Sequence, residues 1–374
     1  MIYFILDRGN SFPIRKYLKF RGESLAEIVG IICYDELDKL KDIKCNTLIF
    51  SDFDRLTPVQ LSKVVQIYNQ VKKNYPGLRL LNDPSKVKLR YELLSELYKI
   101  GINPFRVFRM SENLNDLNYP VFIREENNHT GALSELIYTR KKLEKSVLAL
   151  ILQGYSKKNL LAAEFVNVGN RHGVFKKYSA LKFYDDIFPR QVDYNFHWMV
   201  KTSIRFNRYP KKEFMIEFTD FMENHPHRKF LTELFETAGI EYGRVDYGIL
   251  NGKPVVWEIN LNPDYGGSKR KRKKKNDSEV TQLRDIFHRR FKDKFLELNS
   301  ADDMHVQLNI DDEVVQVLQP SKIDQIIRIS HKPFKTKKPL FKILANGIRT
   351  LFLILAILLF PVVKVFGYNI GEGK

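Results

Sequence analysis

Four oxygen-bearing side chains lie close together in one short segment of the chain, residues 244–263. Asp246 comes first, and Glu258, Asn260 and Asn262 follow it in alternation. Alternate side chains of a β-strand project from the same face. Carboxylate and amide oxygens are ligands that Mg²⁺ accepts together with nucleotide phosphates. We therefore predict a metal site with Asp246, Glu258 and Asn260 as ligands.

A β-hairpin would bring these groups together. Asn251 and Gly252 form a pair typical of a tight hairpin turn, which would place Asp246 on the strand that pairs with Glu258. The alternative is an exposed hairpin with a polar outer face. Against that alternative, apolar side chains surround the acids: Val255, Val256, Trp257, Ile259 and Leu261. The pattern favours a mostly buried hairpin with one polar face.

The rest of the chain predicts alternating strands and helices. Short apolar runs predict strands at residues 2–7, 46–53, 78–82, 120–131, 161–168 and 174–184. Helical spacing predicts helices at residues 24–40, 58–75, 85–99, 132–152 and 215–239, the last broken near Pro226. Thr57 would cap the second helix, with Pro58 at its first position. The first three strands, with helices between them, indicate a small parallel α/β unit.

Taken in order, these segments resemble the ATP-grasp superfamily. The hairpin is similar to the metal-binding end of that fold, where an Asp on one strand precedes Glu-x-Asn on the next. "LNDPSKVKLRYELLSELYKIGINPF" resembles the first helix of the core, and "YPVFIREENNHTGA" the strand and loop over the phosphates. "LLAAEFVNV" resembles the hinge strand, and "FKKYSALKF" the strand with a phosphate-facing basic residue. The resemblance covers about residues 1–268.

The resemblance implies an α/β (α+β) fold in which two α+β lobes hold the nucleotide. Residues 1–82 would form an N-terminal parallel α/β pre-ATP-grasp domain. Residues 83–268 would form the ATP-grasp domain, with its two lobes divided near residue 160. A basic linker and C-terminal extension would follow at 269–342, and a hydrophobic helix at 343–368.

The resemblance also implies ATP and Mg²⁺, with Mn²⁺ as the alternative ion, and assigns roles to residues. Groups that neutralise phosphate would be Arg90, Arg124, and Lys176 or Lys177. The backbone of Glu164, Phe165 and Val166 would hold adenine. The loop over the phosphates would contain His129, Thr130 and Gly131. Arg244 and Asn262 would meet the substrate or the transferred phosphoryl group.

The family commonly has lysine at two nucleotide-contacting positions, which fall here on Arg90 and Arg124. Arginine keeps the charge and adds a second donor for phosphate. The basic and aromatic stretch "FPRQVDYNFHWMVK" contains Arg190, Trp198 and Lys201; it would line the acceptor site, although Trp198 could equally be a core residue.

The family resemblance implies a ligase that joins a carboxylate to an amine through an acyl phosphate. The apolar tail, by the membrane location that it suggests, indicates envelope or surface-polysaccharide synthesis as the pathway. The alternative on the same fold is a kinase that phosphorylates a sugar or polyol hydroxyl. A third alternative is a basic nucleic-acid-binding protein. The run KRKRKKK at 269–275 contains no aromatic residue that could stack on bases, so we rank nucleic acid last as a partner.

Charge and the C-terminal sequence bear on location. The formal net charge is +18, which favours anionic partners or a solvated linker. Every residue from 351 to 363 is apolar, a stretch shorter than the roughly 20 residues of a spanning helix. We predict that this tail associates with an anionic membrane surface, either as an interfacial anchor or as a marginal spanning helix, with a buried helix as the alternative. The two cysteines, Cys33 and Cys45, indicate a reducing, cytoplasmic setting.

Overall fold

The computed structural model describes residues 1–129, 131–201, 211–266 and 278–319. Thr130, the basic run at 269–275 and the apolar tail at 343–368 lie outside the described residues. The chain divides into two compact units. Residues 1–139 and 158–319 belong to the first, and residues 140–157 belong to the second. The predicted domain boundaries stay predictions.

The N-terminal part of the chain forms the predicted parallel α/β unit. Its elements are β1 (Ile2–Leu6), α1 (Phe12–Phe20), β2 (Val29–Cys33), β3 (Ile43–Cys45), β4 (Thr47–Phe50), α2 (Pro58–Asn74) and β5 (Arg79–Leu81). Four of the strands form a parallel sheet in the order β2-β1-β4-β5. The predicted cap is confirmed, because the Thr57 side chain accepts from the Gln60 backbone N–H at the start of α2.

One prediction in this unit is wrong. Residues 24–40 were expected to form a helix, but they contain β2 and a 3-10 segment, Tyr34–Lys41. The run IVGIIC is continuously apolar and rich in β-branched residues, which suits a strand better than a helix. It pairs with β1 in the parallel sheet.

The middle part of the chain contains a small antiparallel sheet. Its elements are α3 (Arg90–Lys99), β6 (Val107–Arg109), β7 (Val121–Glu125), α4 (Arg140–Leu152) and β8 (Leu160–Glu164). The strand order is β6-β8-β7. Helix α3 begins five residues later than predicted, because the Asp83 carbonyl accepts the N–H groups of Lys86 and Val87 in a turn. Helix α4 belongs to the second compact unit.

A second antiparallel sheet contains the predicted hairpin. Its elements are β9 (Phe175–Phe183), β10 (Asp186–Asn195), α5 (Lys211–Glu223), α6 (Arg228–Ala238), β11 (Tyr242–Leu250) and β12 (Lys253–Asn260). The strand order is β10-β9-β11-β12. The turn between β11 and β12 has φ of 50° at Asn251 and 77° at Gly252, the positive values that an Asn-Gly hairpin turn requires. The predicted hairpin is confirmed.

The C-terminal described segment packs against the earlier elements. It contains α7 (Ser278–Asn299), β13 (Met304–Val306) and α8 (Asp312–Leu318). Strand β13 pairs with β3. Phe295 of α7 contacts both Phe4 of β1 and Phe183 of β9, with ring centroids 6.1 and 4.9 Å apart. Helix α7 therefore joins the parallel sheet and the second antiparallel sheet in one core.

None of the helices in the described ranges combines the length and the apolar character needed to cross a bilayer. The predicted hydrophobic helix at 343–368 is not among them.

Candidate active site

A cavity of about 270 Å³ is lined by residues of both antiparallel sheets. Part of the lining, called the apolar end below, is largely aromatic, and both Phe122 and Phe165 lie in ring contact with Trp198. Its main side chains are Phe105, Phe122, Phe165, Val166, Phe175, Trp198 and Trp257. Another part of the lining, called the charged end below, contains ion pairs of Arg124 with Glu258 and of Lys177 and Arg244 with Asp246. Its side chains are Arg124, His129, Lys177, Lys201, Arg244, Asp246 and Glu258.

Asp246 and Glu258 lie side by side at the charged end. They are directly opposite each other in the β11–β12 ladder, and opposite residues of an antiparallel pair point to the same face. Asp246 accepts hydrogen bonds from Ser179 Oγ at 2.7 Å and from Arg244 Nε at 3.0 Å. Burial disfavours its ionised form, but Arg244 and Lys177 outweigh burial and lower the pKa of Asp246.

Glu258 is held by two arginines. Its Oε2 accepts from Arg90 Nη2 at 2.6 Å and from Arg124 Nη2 at 2.5 Å. Burial disfavours ionisation here too, but Arg124 and Arg90 lower the pKa of Glu258 well below its ordinary value. Asp246 is buried and Glu258 half-buried, and two ionised carboxylates on one face form a donor set that fits a hard dication.

Asn260, the third predicted metal ligand, and the nearby Asn262 are placed differently from Asp246 and Glu258. Asn260 is buried, and its Oδ1 accepts the Asn262 backbone N–H at 2.9 Å. The Asn262 side chain donates to the Asn10 carbonyl at 2.9 Å. Because β12 ends at Asn260, strand alternation no longer places Asn262 on the face of Glu258. Neither side chain lines the cavity, so a metal role for Asn260 stays a prediction.

The predicted phosphate-contacting residues separate into two groups. Arg124 and Lys177 line the cavity, whereas Arg90 and Lys176 do not. Arg90 Nη1 donates to the carbonyls of Glu125, Glu126 and Asn128 at 2.6–2.9 Å. Arg90 therefore supports the loop that follows β7 and holds Glu258 in place. In the strand, Lys176 faces away from Lys177 and pairs with Glu217 at 2.7 Å.

The predicted adenine segment lines the apolar end. Glu164, Phe165 and Val166 all contribute to the cavity wall. The Glu164 carboxylate is bound by Arg106, with Nη2 and Oε1 2.7 Å apart. Trp198 packs near Phe165, with ring centroids 5.7 Å apart. An aromatic slot of this kind suits a flat purine ring, and it places Trp198 at the apolar end of the cavity.

The loop after β7 brings His129 and Gly131 to the charged end. His129 Nε2 lies 3.0 Å from Asp54 Oδ2. Burial opposes protonation of His129, but Asp54 and Glu258 raise its pKa. Gly131 has φ of 93°, and a Cβ there would lie 3.1 Å from Lys201 Cε. Glycine therefore lets Lys201 approach the loop closely.

Asp52 and Asp54 were missed by sequence reasoning. Both are buried just beyond the end of β4. A signal was present, because the carboxyl ends of parallel strands are where α/β folds place their ligands. Asp54 connects this edge of the parallel sheet, through His129, to the charged end of the cavity.

Asp52 gives a pH-dependent prediction. Burial is the largest cause that raises its pKa, to about 7 from the ordinary 3.8. Between these values the folded state binds the proton and the unfolded state does not, so stability falls as pH rises through this window. In the parent, the free energy of unfolding should fall by an amount on the order of a few kcal/mol as pH rises through this window. We expect Asp52→Asn to remove that pH-dependent loss. Urea denaturation at pH 5 and pH 8 would measure it, and identical pH profiles for variant and parent would contradict it.

The fold and the site agree in their main features with what the sequence led us to expect. A parallel α/β unit precedes two antiparallel sheets, and the cavity between those sheets has an aromatic end and a carboxylate-bearing, basic end. The predicted α/β (α+β) fold class is confirmed; the ATP-grasp assignment, which the resemblance of the sequence implies, stays a prediction.

Comparisons with known proteins give weak similarities. No family model and no curated protein matches the chain. A D-alanine–D-alanine ligase structure from Bacillus anthracis is 13% identical, with a TM-score of 0.43, and the match covers 79% of this chain and 99% of that one. The same ligase from Helicobacter pylori is 14% identical, with a TM-score of 0.44 and coverage of 83% and 100%. A RimK domain ATP-grasp protein from Sphaerobacter thermophilus is 12% identical, with a TM-score of 0.43 and coverage of 79% and 100%. At these values the similarities carry no argument about activity.

Proposed function

We propose that the protein is an ATP- and Mg²⁺-dependent ligase that joins a carboxylate to an amine through an acyl phosphate. The observation that carries the proposal is the pair of ionised carboxylates, Asp246 and Glu258, at the basic end of a cavity whose other end is aromatic. The location at a membrane and the envelope pathway are also part of the proposal; they depend on the sequence of the tail alone.

Charge complementarity favours a nucleotide in this cavity. Four basic side chains from the described part of the chain line the charged end: Arg124, Lys177, Lys201 and Arg244. They outnumber the two carboxylates beside them. A purine at the aromatic end would leave its phosphates among these cations, where charge-assisted hydrogen bonds are strongest.

The two carboxylates support the proposed metal site. Asp246 and Glu258 would hold Mg²⁺, which would supply positive charge to neutralise the nucleotide phosphates. The residues of the chain would do the rest by positioning and by electrostatic stabilisation. Arg124 and Lys177 would neutralise the phosphates, and Arg244, bonded to Asp246, would stabilise the charge that develops on the transferred group.

The proposed reaction has two steps. A substrate carboxylate oxygen attacks the terminal phosphorus, the bond to the bridging oxygen breaks, and ADP leaves. An amine then attacks the acyl carbon, inorganic phosphate leaves, and the amine loses a proton. Because one cavity would hold both substrates, their reacting groups would not have to meet by diffusion in solution.

We expect hydroxylamine to trap the acyl phosphate. Incubation with ATP, Mg²⁺, a panel of carboxylic acids and hydroxylamine should form a hydroxamate and ADP in equal amounts for the correct acid. Hydroxylamine is the surrogate amine, so the natural amine need not be known. ADP release that requires a sugar or polyol and yields no hydroxamate would instead favour the kinase alternative.

The nucleic-acid alternative has its own outcome in the same experiment. It predicts no ADP with any acceptor, together with nucleic-acid affinity that disappears when residues 269–275 are deleted.

A further inference from the structure

Helix α4 presents two leucine side chains to solvent. Leu148 is 58% exposed and Leu152 is 76% exposed. They lie one helical turn apart on the same side of the helix. The apolar residues that α4 buries lie on the opposite side; they are Leu143, Val147 and Leu150. Single exposed leucines are common on protein surfaces, but the packing of α4 does not require two of them on one side, facing away from its buried residues.

Basic side chains continue this side of the helix towards the start of α4. Lys141 and Lys145 precede Leu148 and Leu152 at spacings of three to four residues, so all four side chains project from one side. Both lysines are exposed. We call these four residues, Lys141, Lys145, Leu148 and Leu152, the α4 stripe. Its first half is cationic and its second half is apolar.

The charge around the α4 stripe has almost a single sign. Residues 140–157 contain five basic residues and one acid, Glu144. Glu144 pairs with Arg140, with Oε1 and Nε 3.1 Å apart, which leaves Lys141 and Lys145 without an acid from this fully described segment. The first turn of α4 contains no acid, although the helix dipole favours acids there and cations at the other end. These cations therefore do not stabilise the helix, and an anionic partner would match them.

We propose that the α4 stripe docks on a bilayer of anionic lipids, with its leucines among the acyl chains and its lysines at the head groups. A helix side that is part apolar and part cationic matches the boundary between acyl chains and anionic head groups. Helix α4 has 13 residues and is about 20 Å long, so it lies at this boundary and does not span the bilayer. The inference deepens the membrane location in the proposed function and rests on that part of it, but it does not depend on the ligase reaction.

Other parts of the same chain would match the α4 stripe less well. Residues 320–374, which include the apolar tail, contain ten basic residues and two acids. They would add positive charge beside the lysines of the stripe. A second copy of the chain carries the same net charge of +18 and would add positive charge as well. A bilayer that contains anionic lipids supplies both the negative charge and the apolar phase.

The first test measures whether α4 enters the bilayer. Cys33 and Cys45 are both buried, so full-length Leu152→Cys can be labelled at the introduced thiol with an environment-sensitive fluorophore. On vesicles of phosphatidylcholine and phosphatidylserine we expect its emission to shift to the blue, and lipids brominated on their acyl chains to quench it. Leu296→Cys, labelled in the same way, is the control. Leu296 is an exposed residue of α7, so its label should show neither change.

The second test measures how much the α4 stripe contributes to vesicle affinity. Sedimentation with the same vesicles gives the lipid concentration at which half of the full-length protein is bound. We expect Leu148→Gln/Leu152→Gln to raise that concentration by about tenfold or more, since two apolar side chains no longer leave water. Glutamine keeps a high helix propensity, so the melting temperature should equal that of the parent. Ile216→Gln/Leu296→Gln changes two exposed side chains of α5 and α7 and should bind vesicles as the parent does.

The lysines of the α4 stripe are tested by charge. Lys141→Gln/Lys145→Gln should raise the half-binding lipid concentration by about tenfold or more at low salt, since each lysine near an anionic surface contributes on the order of 1 kcal/mol. The effect should shrink at high salt, where charge is screened. Vesicles of phosphatidylcholine alone should bind the parent and this variant equally.

The possible failures point to different conclusions. An unchanged emission of labelled Leu152→Cys on vesicles that bind the protein would overturn the inference and leave the tail as the membrane contact. Equal vesicle affinity of the parent and Leu148→Gln/Leu152→Gln would do the same. A parent that binds no vesicle would contradict both the inference and the proposed membrane location. The absence of ADP and hydroxamate with every acid in the hydroxylamine screen would contradict the proposed reaction alone.

Discussion

Replacement of Glu258 by glutamine is expected to lower Mg²⁺-dependent ATP turnover by about 100-fold or more, the scale on which loss of one preorganised electrostatic group acts. Glutamine has nearly the same shape but no charge, so the metal would lose one of its two carboxylates. Turnover is measured as ADP release with the best acid from the hydroxylamine screen. Calorimetry with the ATP analogue should show a matching loss of Mg²⁺-dependent binding.

Glu258→Gln is also expected to destabilise the folded protein. The experiment must distinguish this loss of stability from a loss of catalysis. Glu258 compensates Arg90 and Arg124, both buried, and breaking a buried ion pair costs about 3–5 kcal/mol. The melting temperature of Glu258→Gln must therefore be measured, and turnover assayed well below it.

Glu36→Gln is the control for Glu258→Gln. The Glu36 carboxylate is also held by two cations, Arg8 and Lys39, each 3.0 Å away, but it lies outside the cavity. Glu36→Gln should therefore leave ATP turnover unchanged. Full turnover by folded Glu258→Gln would show that the metal assignment is wrong.

Truncation of Phe291 to alanine is expected to reduce the free energy of unfolding by about 3–5 kcal/mol. Phe291 of α7 is fully buried. Its ring lies 4.9–5.6 Å from five others, those of Tyr17, Phe183, Tyr265, Phe287 and Phe295. Alanine would lose these contacts and leave a cavity between α1, β9 and α7. Urea denaturation followed by fluorescence measures the change.

Leu296→Ala, on the same helix, is the control for that measurement. Leu296 is 47% exposed, so its truncation should cost less than about 1 kcal/mol. A cost below about 1 kcal/mol for Phe291→Ala would contradict the placement of α7 in the core. That result would favour a separate C-terminal extension, as the sequence led us to expect for residues 269–342.

Short-range patterns were enough to predict the hairpin and its acids. Alternation along β12 and the Asn251-Gly252 turn together place Glu258 opposite Asp246. The cap of α2 and the parallel unit followed from equally local signals. Such features depend on residues a few positions apart, where backbone geometry dictates which side chains share a face. The sequence by itself therefore determined the carboxylate pair and the class of fold.

Only the tertiary structure decided which cations face the cavity. Arg90 bonds to carbonyls about 35 to 38 positions along the chain and does not line the cavity, whereas Arg124 and Lys177 do. Asp54 meets His129 across 75 positions. The reason is physical: a long basic side chain can reach many partners, and the one that it reaches depends on which distant segments pack beside it.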